Sequence, residues 1–236
     1  MLASVYAPKD FKRLRVVGDL VARCFDYITP HIVAGVSTGE IDRLVAEFLK
    51  ENGARSSDLG YMGYPKSICT SVNDVIVHGI PSDDVILKDG DIVSIDCGTI
   101  LDGFCGDSCY TFCVGEVSPE VKQLLKTTKE SLYKAILTAI PGKRLGDIGY
   151  AVQQHCESQG YGIVREFVGH GIGRTMHEDP QIPNYGKQGT GKQLKNGMCL
   201  SIEPMVTMKS PELYMLSDKW GVITRDKLPA AHFEHT

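Results

Sequence analysis

Five side chains of this sequence have the chemistry to hold divalent metal ions. Asp96 ends the apolar run of residues 92–95 and is followed closely by Asp107, while Glu203 and Glu234 lie inside strand-like runs. His170 stands between two glycines, which allow close backbone approach. Buried carboxylates need partners, and four of them with one imidazole suit a pair of first-row divalent ions. Water shared by two such ions is a strong nucleophile, so the set predicts hydrolytic chemistry.

A hairpin signal between the two aspartates predicts that they are close in space. Asp102-Gly103 favours a tight turn, and an even-numbered loop would place Asp96 and Asp107 on one sheet face as direct or diagonal neighbours. Two carboxylates at that separation would raise the pKa of one of them unless a cation neutralised them. Asp102 itself is interpreted as an ordinary solvated turn residue.

An internal duplication links the two parts of the chain. The segment 87–96, LKDGDIVSID, recurs at residues 194–203 as LKNGMCLSIE, and the glycine-bounded segment that starts at Gly35 recurs from Gly142 at the same offset. Shared offsets of this kind indicate a repeated structural unit. A pseudo-twofold between the halves would place Asp96 and Glu203 on opposite sides of a central seam, within reach of one ligand.

Two histidines follow the duplication loosely. His78 and His177 each begin an H-x-x-P sequence, which suggests a pair that flanks the site. The remaining histidines are interpreted as surface or structural residues: His31, His155, His232 and His235.

Four helices and several strands must position these groups. Apolar periodicity and capping residues predict helices over residues 11–28, 38–52, 119–140 and 147–160. Strands are predicted over residues 67–77, 91–97, 104–114, 162–168, 198–206 and 222–234. Two helices therefore precede the strands in each half, which predicts an α+β fold with a mainly antiparallel sheet and helices on one side. The glycine-rich residues 169–173 and 186–191 are interpreted as turns near a site.

Composition limits the classes of function. The chain has 236 residues, 42% of them apolar and 23% charged, which is enough for one domain over residues 1–236, with halves of about 1–116 and 117–236. A net charge of −4 without a basic run argues against nucleic-acid and anionic-membrane surfaces. With no signal-peptide pattern and no segment of membrane-spanning length, the sequence predicts a cytoplasmic protein. Its eight cysteines are expected to be reduced thiols.

Six motifs in order resemble one family across nearly the whole chain. NDVIVHGIP, DIVSIDCG, DGFCGDS, GHGIGRTMHEDP, SIEPMV and FEHT together are similar to the type I methionine aminopeptidases. The resemblance implies the pita-bread (creatinase/aminopeptidase) fold, with pseudo-twofold duplicated halves, a curved mainly antiparallel sheet and helices on the outer side.

The resemblance also implies a set of metal ligands. One divalent ion would be held by Asp107, His170, Glu203 and Glu234, and the other by Asp96, Asp107 and Glu234. Two ions per chain are therefore expected, and their identity stays open among Co, Mn, Fe, Zn and Ni.

Roles in the reaction follow from the same resemblance. Metal-activated water would attack the first carbonyl of the substrate, Glu203 would carry the proton, and His177 would stabilise the oxyanion. His78 would contact the scissile amide nitrogen. An apolar pocket would bind the methionine side chain through Tyr61, Tyr64, Cys69, Met176 and Trp220.

The implied partner is a nascent polypeptide or peptide with N-terminal methionine, with a transient ribosome contact possible and a monomeric state expected.

Family members often carry Cys, His and an aromatic residue at the positions of Asp58, Met62 and Met176, so the pocket is expected to differ in shape. The sequence stops at Thr236, soon after Glu234, and a frayed end would loosen that ligand.

Two other functions compete with this one. An Xaa-Pro-specific aminopeptidase shares the ligands and fold but usually carries a large additional amino-terminal domain. A catalytically inactive pita-bread protein would use its cleft to bind peptides or the ribosome, although inactive relatives generally lose ligands and this sequence keeps all five.

Overall fold

The computed structural model describes residues 3–236, and it contains the four predicted helices. Ser37 caps the second helix by accepting a hydrogen bond from the amide of Glu40 (3.0 Å), and Ser118 caps the third through the amide of Val121 (3.3 Å). The predictions are confirmed, although the last two helices end two to three residues early. The helices are α1 (Pro8–Ile28), α2 (Thr38–Glu51), α3 (Pro119–Thr138) and α4 (Leu145–Glu157).

The strands are shorter than the sequence predicts. Those of the first half are β1 (Arg55–Ser56), β2 (Cys69–Val72), β3 (Val75–Val77), β4 (Ile92–Asp96), β5 (Thr99–Leu101), β6 (Phe104–Gly106) and β7 (Ser108–Cys113). Those of the second half are β8 (Gly162–Ile163), β9 (Gly169–Gly171), β10 (Glu178–Ile182), β11 (Leu200–Ser201), β12 (Met205–Thr207), β13 (Leu213–Met215), β14 (Val222–Thr224), β15 (Ala230–His232) and β16 (Glu234–His235).

Strand pairing joins the two halves. The pairs among these strands are antiparallel, as predicted. The order β16-β7-β4-β2 places the last strand of the chain beside three strands of the first half. Val222 of β14 also pairs with Val77 of β3. The site is therefore built across the seam of the duplication.

Backbone hydrogen bonds confirm the duplication. The amide of Gly35 donates to the carbonyl of Leu87 (2.8 Å), and the amide of Gly142 donates to that of Leu194 (3.1 Å). The turns that begin the repeated strands match as well, because Gly90 and Gly197 both have φ of 90°. At this φ glycine avoids the strain that a side chain would impose.

Each half buries its own apolar cluster beneath its helices. In the first half, Leu20 and Ile41 of the helices pack with Val93 and Ile95 of β4. In the second, α3 and α4 pack on each other, and α3 also lies against β12 and β15. The helices thus cover the face of the strands opposite the candidate ligands. In the described part of the chain, no helix has the length and apolar character needed to span a membrane.

Several predicted strands are interrupted. The predicted strand over residues 104–114 is broken at Asp107, and the one over 67–77 is broken at Asn73, whose φ is 51°. The predicted strands over residues 198–206 and 222–234 are also broken into shorter strands. Of the predicted strand over residues 162–168, only the first two residues form a strand. Period-two alternation continues through such breaks, so the sequence pattern does not show them.

The interpretation of residues 169–173 as a turn is wrong. Gly169–Gly171 forms β9, which lies between β10 and β11. A Cβ on Gly169 would lie 2.3 Å from the carbonyl oxygen of Ser201, so glycine here permits close strand contact.

Candidate metal centre

Two of the predicted ligands come from strands on either side of β7, and a third lies immediately before β7. Cys109 of β7 pairs with Asp96 on one side and with Glu234 on the other, so these two acids share a row across the sheet. Asp107 lies at the break between β6 and β7, and its carboxyl group contacts that of Asp96. The two aspartates are neighbours as predicted, but the break, rather than direct pairing, brings Asp107 to this position.

Besides Glu234, the second half contributes an imidazole and a further carboxylate. His170 Nε2 lies 3.4 Å from Glu203 Oε1 and 3.8 Å from Asp107 Oδ2. His170 Nδ1 is 3.0 Å from the carbonyl oxygen of Gly171. Because a carbonyl oxygen only accepts, Nδ1 carries the proton and the lone pair on Nε2 faces the carboxylates.

The donor set fits a metal ion. Asp107, His170 and Glu234 each offer a ligand atom, and these atoms lie within 4.8 Å of one another. All three residues are buried, and Glu234 is only 2% exposed. Ser201 donates its hydroxyl hydrogen to Glu234 Oε1, which orients that carboxylate. Oxygen ligands with one imidazole nitrogen are typical of first-row divalent ions.

The charges of the cluster are unbalanced without a cation. Burial, and then the neighbouring carboxylates, raise the pKa of Asp107 and Glu234 well above the usual value, and burial with Asp96 does the same for Glu203. Burial raises the pKa of Asp96 to about 6. Burial lowers the pKa of His170 to about 4, so its imidazole is neutral and ready to bind a metal near neutral pH.

These pKa shifts predict how metal binding stabilises the protein. Carboxyl groups whose folded pKa lies above the unfolded value make the metal-free protein less stable as the pH rises through the folded pKa, about 6 for Asp96. A cation removes this loss and competes better with protons at high pH. We expect saturating Mn²⁺ to raise the melting temperature of chelator-treated protein by about 5–10 °C at pH 8 and by less at pH 6. Differential scanning fluorimetry at matched ionic strength with K⁺ measures this, and equal shifts at both pH values would contradict it.

Both predicted flanking histidines line the same cavity, which has a volume of about 260 Å³. The His177 ring centre is 4.4 Å from that of His170 and 5.1 Å from that of Tyr61. The His78 ring lies 5.4 Å from Phe167, and its backbone has φ of 59°. Burial lowers the pKa of both histidines, that of His78 to about 4. Each ring is therefore neutral at neutral pH and carries one N–H donor and one lone pair.

The predicted pocket residues are brought together beside the ligands. The rings of Tyr64 and Trp220 pack edge to face with their centres 4.9 Å apart, and the Tyr64 hydroxyl donates to the carbonyl of Ile68 (3.0 Å). Met62 lies at the rim and is 83% exposed. The cavity lining includes all five predicted pocket residues: Tyr61, Tyr64, Cys69, Met176 and Trp220.

The sequence interpretation gave His232 no role in the site and named Asp58 only as a departure from the residue that family members often carry. His232, interpreted as structural, is 2% exposed and lies with Nε2 3.9 Å from Glu203 Oε2. Its spacing of two residues from Glu234 is the signal that could have placed it on the same strand face. Asp58 accepts a hydrogen bond from the amide of Gly98 (3.1 Å), and burial and Asp96 raise its pKa.

Comparison of the sequence with protein families and relatives agrees with this geometry. The sequence model of metallopeptidase family M24 matches residues 12–236. Methionine aminopeptidase 1 of Bacillus subtilis is 48% identical over 229 residues, which cover 97% of this chain and 92% of that protein. Methionine aminopeptidase of Escherichia coli K12 is 45% identical over 237 residues, which cover 100% of this chain and 90% of that protein.

Solved structures give the same result. Methionine aminopeptidase from Rickettsia prowazekii superposes with a TM-score of 0.98 at 43% identity, covering 99% of this chain and 94% of that chain. Prolidase from Pyrococcus furiosus reaches 0.75 at 21% identity and covers 98% of this chain but 60% of that chain, so it shares the fold alone. The predicted pita-bread fold is confirmed. With whole-chain identity of this degree and a cluster of metal-binding side chains across the seam, the chain belongs to metallopeptidase family M24 and, within it, to the methionine aminopeptidases.

Proposed function

We propose that this protein is an aminopeptidase that hydrolyses the first peptide bond of polypeptides with N-terminal methionine. The observation that carries the proposal is that one small cavity is lined both by the acid and imidazole cluster and by apolar and aromatic side chains. Such a cavity holds one side chain while the bond that follows it lies against the cluster.

The proposed cofactor is a pair of divalent ions, drawn from Co, Mn, Fe, Zn and Ni. Asp107, His170, Glu203 and Glu234 would hold one ion, and Asp96 with Asp107 and Glu234 would hold the other. When bound, such ions polarise a carbonyl group and lower the pKa of water. The mutual contacts of these carboxylates and their raised pKa values support sites shared between two cations.

The side chains of the protein would move the proton and stabilise charge. Glu203, beside His170 Nε2, would take the proton from the attacking water and pass it to the departing amine. His177, whose ring centre is 4.4 Å from that of His170, would donate a hydrogen bond to the oxygen on which negative charge develops. His78, on the Phe167 side of the cavity, would donate to the scissile amide.

Selectivity for methionine would come from the apolar walls. Tyr64, Trp220 and Cys69 form a fixed side of the cavity, since Tyr64 is anchored by its hydroxyl and packs on Trp220. Met176 adds a flexible thioether to the lining, which adapts to an unbranched substrate side chain. Asp58 is an exception among these walls, because its carboxyl group lines the cavity and is not a proposed metal ligand.

The proposal extends to the setting of the enzyme. Residues 1–236 would form a single catalytic unit, because strands of both halves supply ligands. The eight cysteines are free thiols, which favours the cytoplasm. A monomer that meets nascent chains, with transient contact to the ribosome, is the simplest arrangement.

A peptide assay tests the proposed function. We expect protein loaded with Co²⁺ or Mn²⁺ to release methionine from a Met-Gly peptide at least about a hundredfold faster than it cleaves a matched Leu-Gly or Ala-Pro peptide, because a pocket rejects a side chain that fits poorly. Mass spectrometry of the products measures this, and chelator-treated protein is the control. Cleavage restricted to the Ala-Pro peptide would overturn the substrate, and failure with every metal would favour a binding function.

A further inference from the structure

The amino-terminal segment, residues 3–10, lies against the residues that carry His177. The amide of Tyr6 donates to the carbonyl of Gly197 (2.7 Å), which fixes the segment to the turn before the repeated strand. From there the Tyr6 side chain reaches residues 173–178, a stretch between β9 and the first residue of β10. We refer to residues 173–178 as the His177 loop.

The carboxylate of Glu178 accepts several hydrogen bonds from the His177 loop and from Tyr6. Glu178 Oε1 accepts from the Tyr6 hydroxyl (2.6 Å) and from the amides of Arg174 (2.9 Å) and Thr175 (3.2 Å). The Tyr6 oxygen in turn accepts from the amide of Arg174 (3.0 Å). Burial and then Glu178 raise the pKa of Tyr6 to about 12, so the phenol keeps the proton that it donates.

The loop is also held from its outer side. A Cβ on Gly173 would lie 2.0 Å from the Tyr6 hydroxyl oxygen, so glycine is needed for Tyr6 to reach Glu178. The Arg174 guanidinium stacks on Phe104 at 4.5 Å and lies 3.4 Å from Asp10. The loop is thus fixed by α1 and by the segment before it, rather than by the sheet alone.

His177 lies directly beside this hydrogen-bond network. It directly precedes Glu178, and its ring packs on His170, at 4.4 Å, and on Tyr61. His177 is joined directly to Glu178, whose carboxylate is anchored by these hydrogen bonds. A shift of Glu178 therefore moves the His177 imidazole. Displacement of a catalytic group by about 1 Å can lower the rate by about a hundredfold.

We propose that Tyr6 and Glu178 are positioning residues that act through His177, with the phenol locking the carboxylate that shapes the loop. This proposal rests on the proposed peptidase function for its kinetic effect. The hydrogen-bond network itself is independent of that function and is tested separately.

The test is Tyr6→Phe, which removes the hydroxyl and keeps the ring. We expect kcat for a Met-Gly peptide to fall about tenfold while KM stays within about twofold, since the oxyanion donor is displaced and the pocket is not. In a His177→Ala background the same change should have no further effect on kcat. Amide hydrogen exchange of metal-free protein should be faster within residues 173–178 in Tyr6→Phe than in the wild type.

Two further variants complete the test. Tyr27→Phe is the matched control, because Tyr27 is half-exposed on α1 and packs on Phe48, and it should match the wild type in both measurements. Gly173→Ala pushes the Tyr6 ring away and should reproduce both effects of Tyr6→Phe. The proposal is overturned if kcat of Tyr6→Phe is unchanged, if its loss persists in full without His177, or if exchange of the loop is unchanged. Absence of methionine release by the wild type would instead reject the proposed function, while the exchange experiment would still report on the network.

Discussion

Asp107→Asn is expected to lower kcat/KM for methionine release by on the order of a thousandfold or more. Asp107 occupies the centre of the cluster, where its carboxyl group contacts Asp96 and lies 3.8 Å from His170 Nε2. Asparagine keeps the size of the side chain but supplies one neutral oxygen in place of a charged carboxylate, so it binds a cation weakly and bridges two poorly. Metal content after gel filtration, measured by mass spectrometry, should fall together with methionine release.

Asp102→Asn is the matched control for this variant. Asp102 lies at the tip of the hairpin that connects β5 and β6, with φ of 50°, a conformation that asparagine adopts as readily as aspartate. The control should keep its metal and its rate. Full metal content and full activity in Asp107→Asn would contradict the role of Asp107 as a ligand, and equal losses in both variants would indicate damage to the hairpin.

The helices and the duplication could be predicted because their signals are local. Ser37 and Ser118 mark helix starts, and the apolar stripe of α1 is continuous from Leu14 to Ile28. The repeated strand predicted that Asp96 and Glu203 lie on opposite sides of one seam, and both line the same cavity. Repetition in sequence conveys long-range geometry that periodicity alone does not.

The interruptions of the strands could not be predicted in the same way. Asp107 and Glu203 both lie where a predicted strand is broken, between β6 and β7 and between β11 and β12. A strand residue that must turn towards a ligand leaves the regular pleat, while the apolar pattern on either side still looks continuous. The sequence therefore predicted that both acids face one common site, and both line the same cavity, but it described their backbone incorrectly.

Missed features depended on contacts between distant segments. β9 is rich in glycine because the carbonyl oxygens of Ser201 and Asp179 approach Gly169 and Gly171 so closely that a side chain at either position would collide with them. Glycine in a single sequence indicates a turn as readily as it indicates close packing. Likewise, His232 lies beside Glu203 because β15 pairs with β12, which is a contact between segments that are distant in the sequence.

His177→Ala is expected to lower kcat by about a hundredfold to a thousandfold while the metal content stays at the wild-type level, because the proposed donor to the developing oxyanion is lost and no proposed ligand is removed. Burial lowers the pKa of His177, so its ring is neutral at neutral pH and donates one N–H. Since the proposed hydrogen bond would form mainly in the transition state, KM should stay within about fivefold of the wild-type value.

His31→Ala is the matched control, since His31 is exposed in the short helical turn Thr29–His31 after α1, away from the cavity. Loss of metal in His177→Ala would assign the residue to the ligand set, and a rise in KM with unchanged kcat would assign it to substrate binding alone. The comparison with Asp107→Asn separates the two kinds of group in the cavity. One variant should lose activity together with its metal, whereas the other should lose activity with the metal in place, and only the second pattern identifies a side chain that acts on the substrate rather than on the cation.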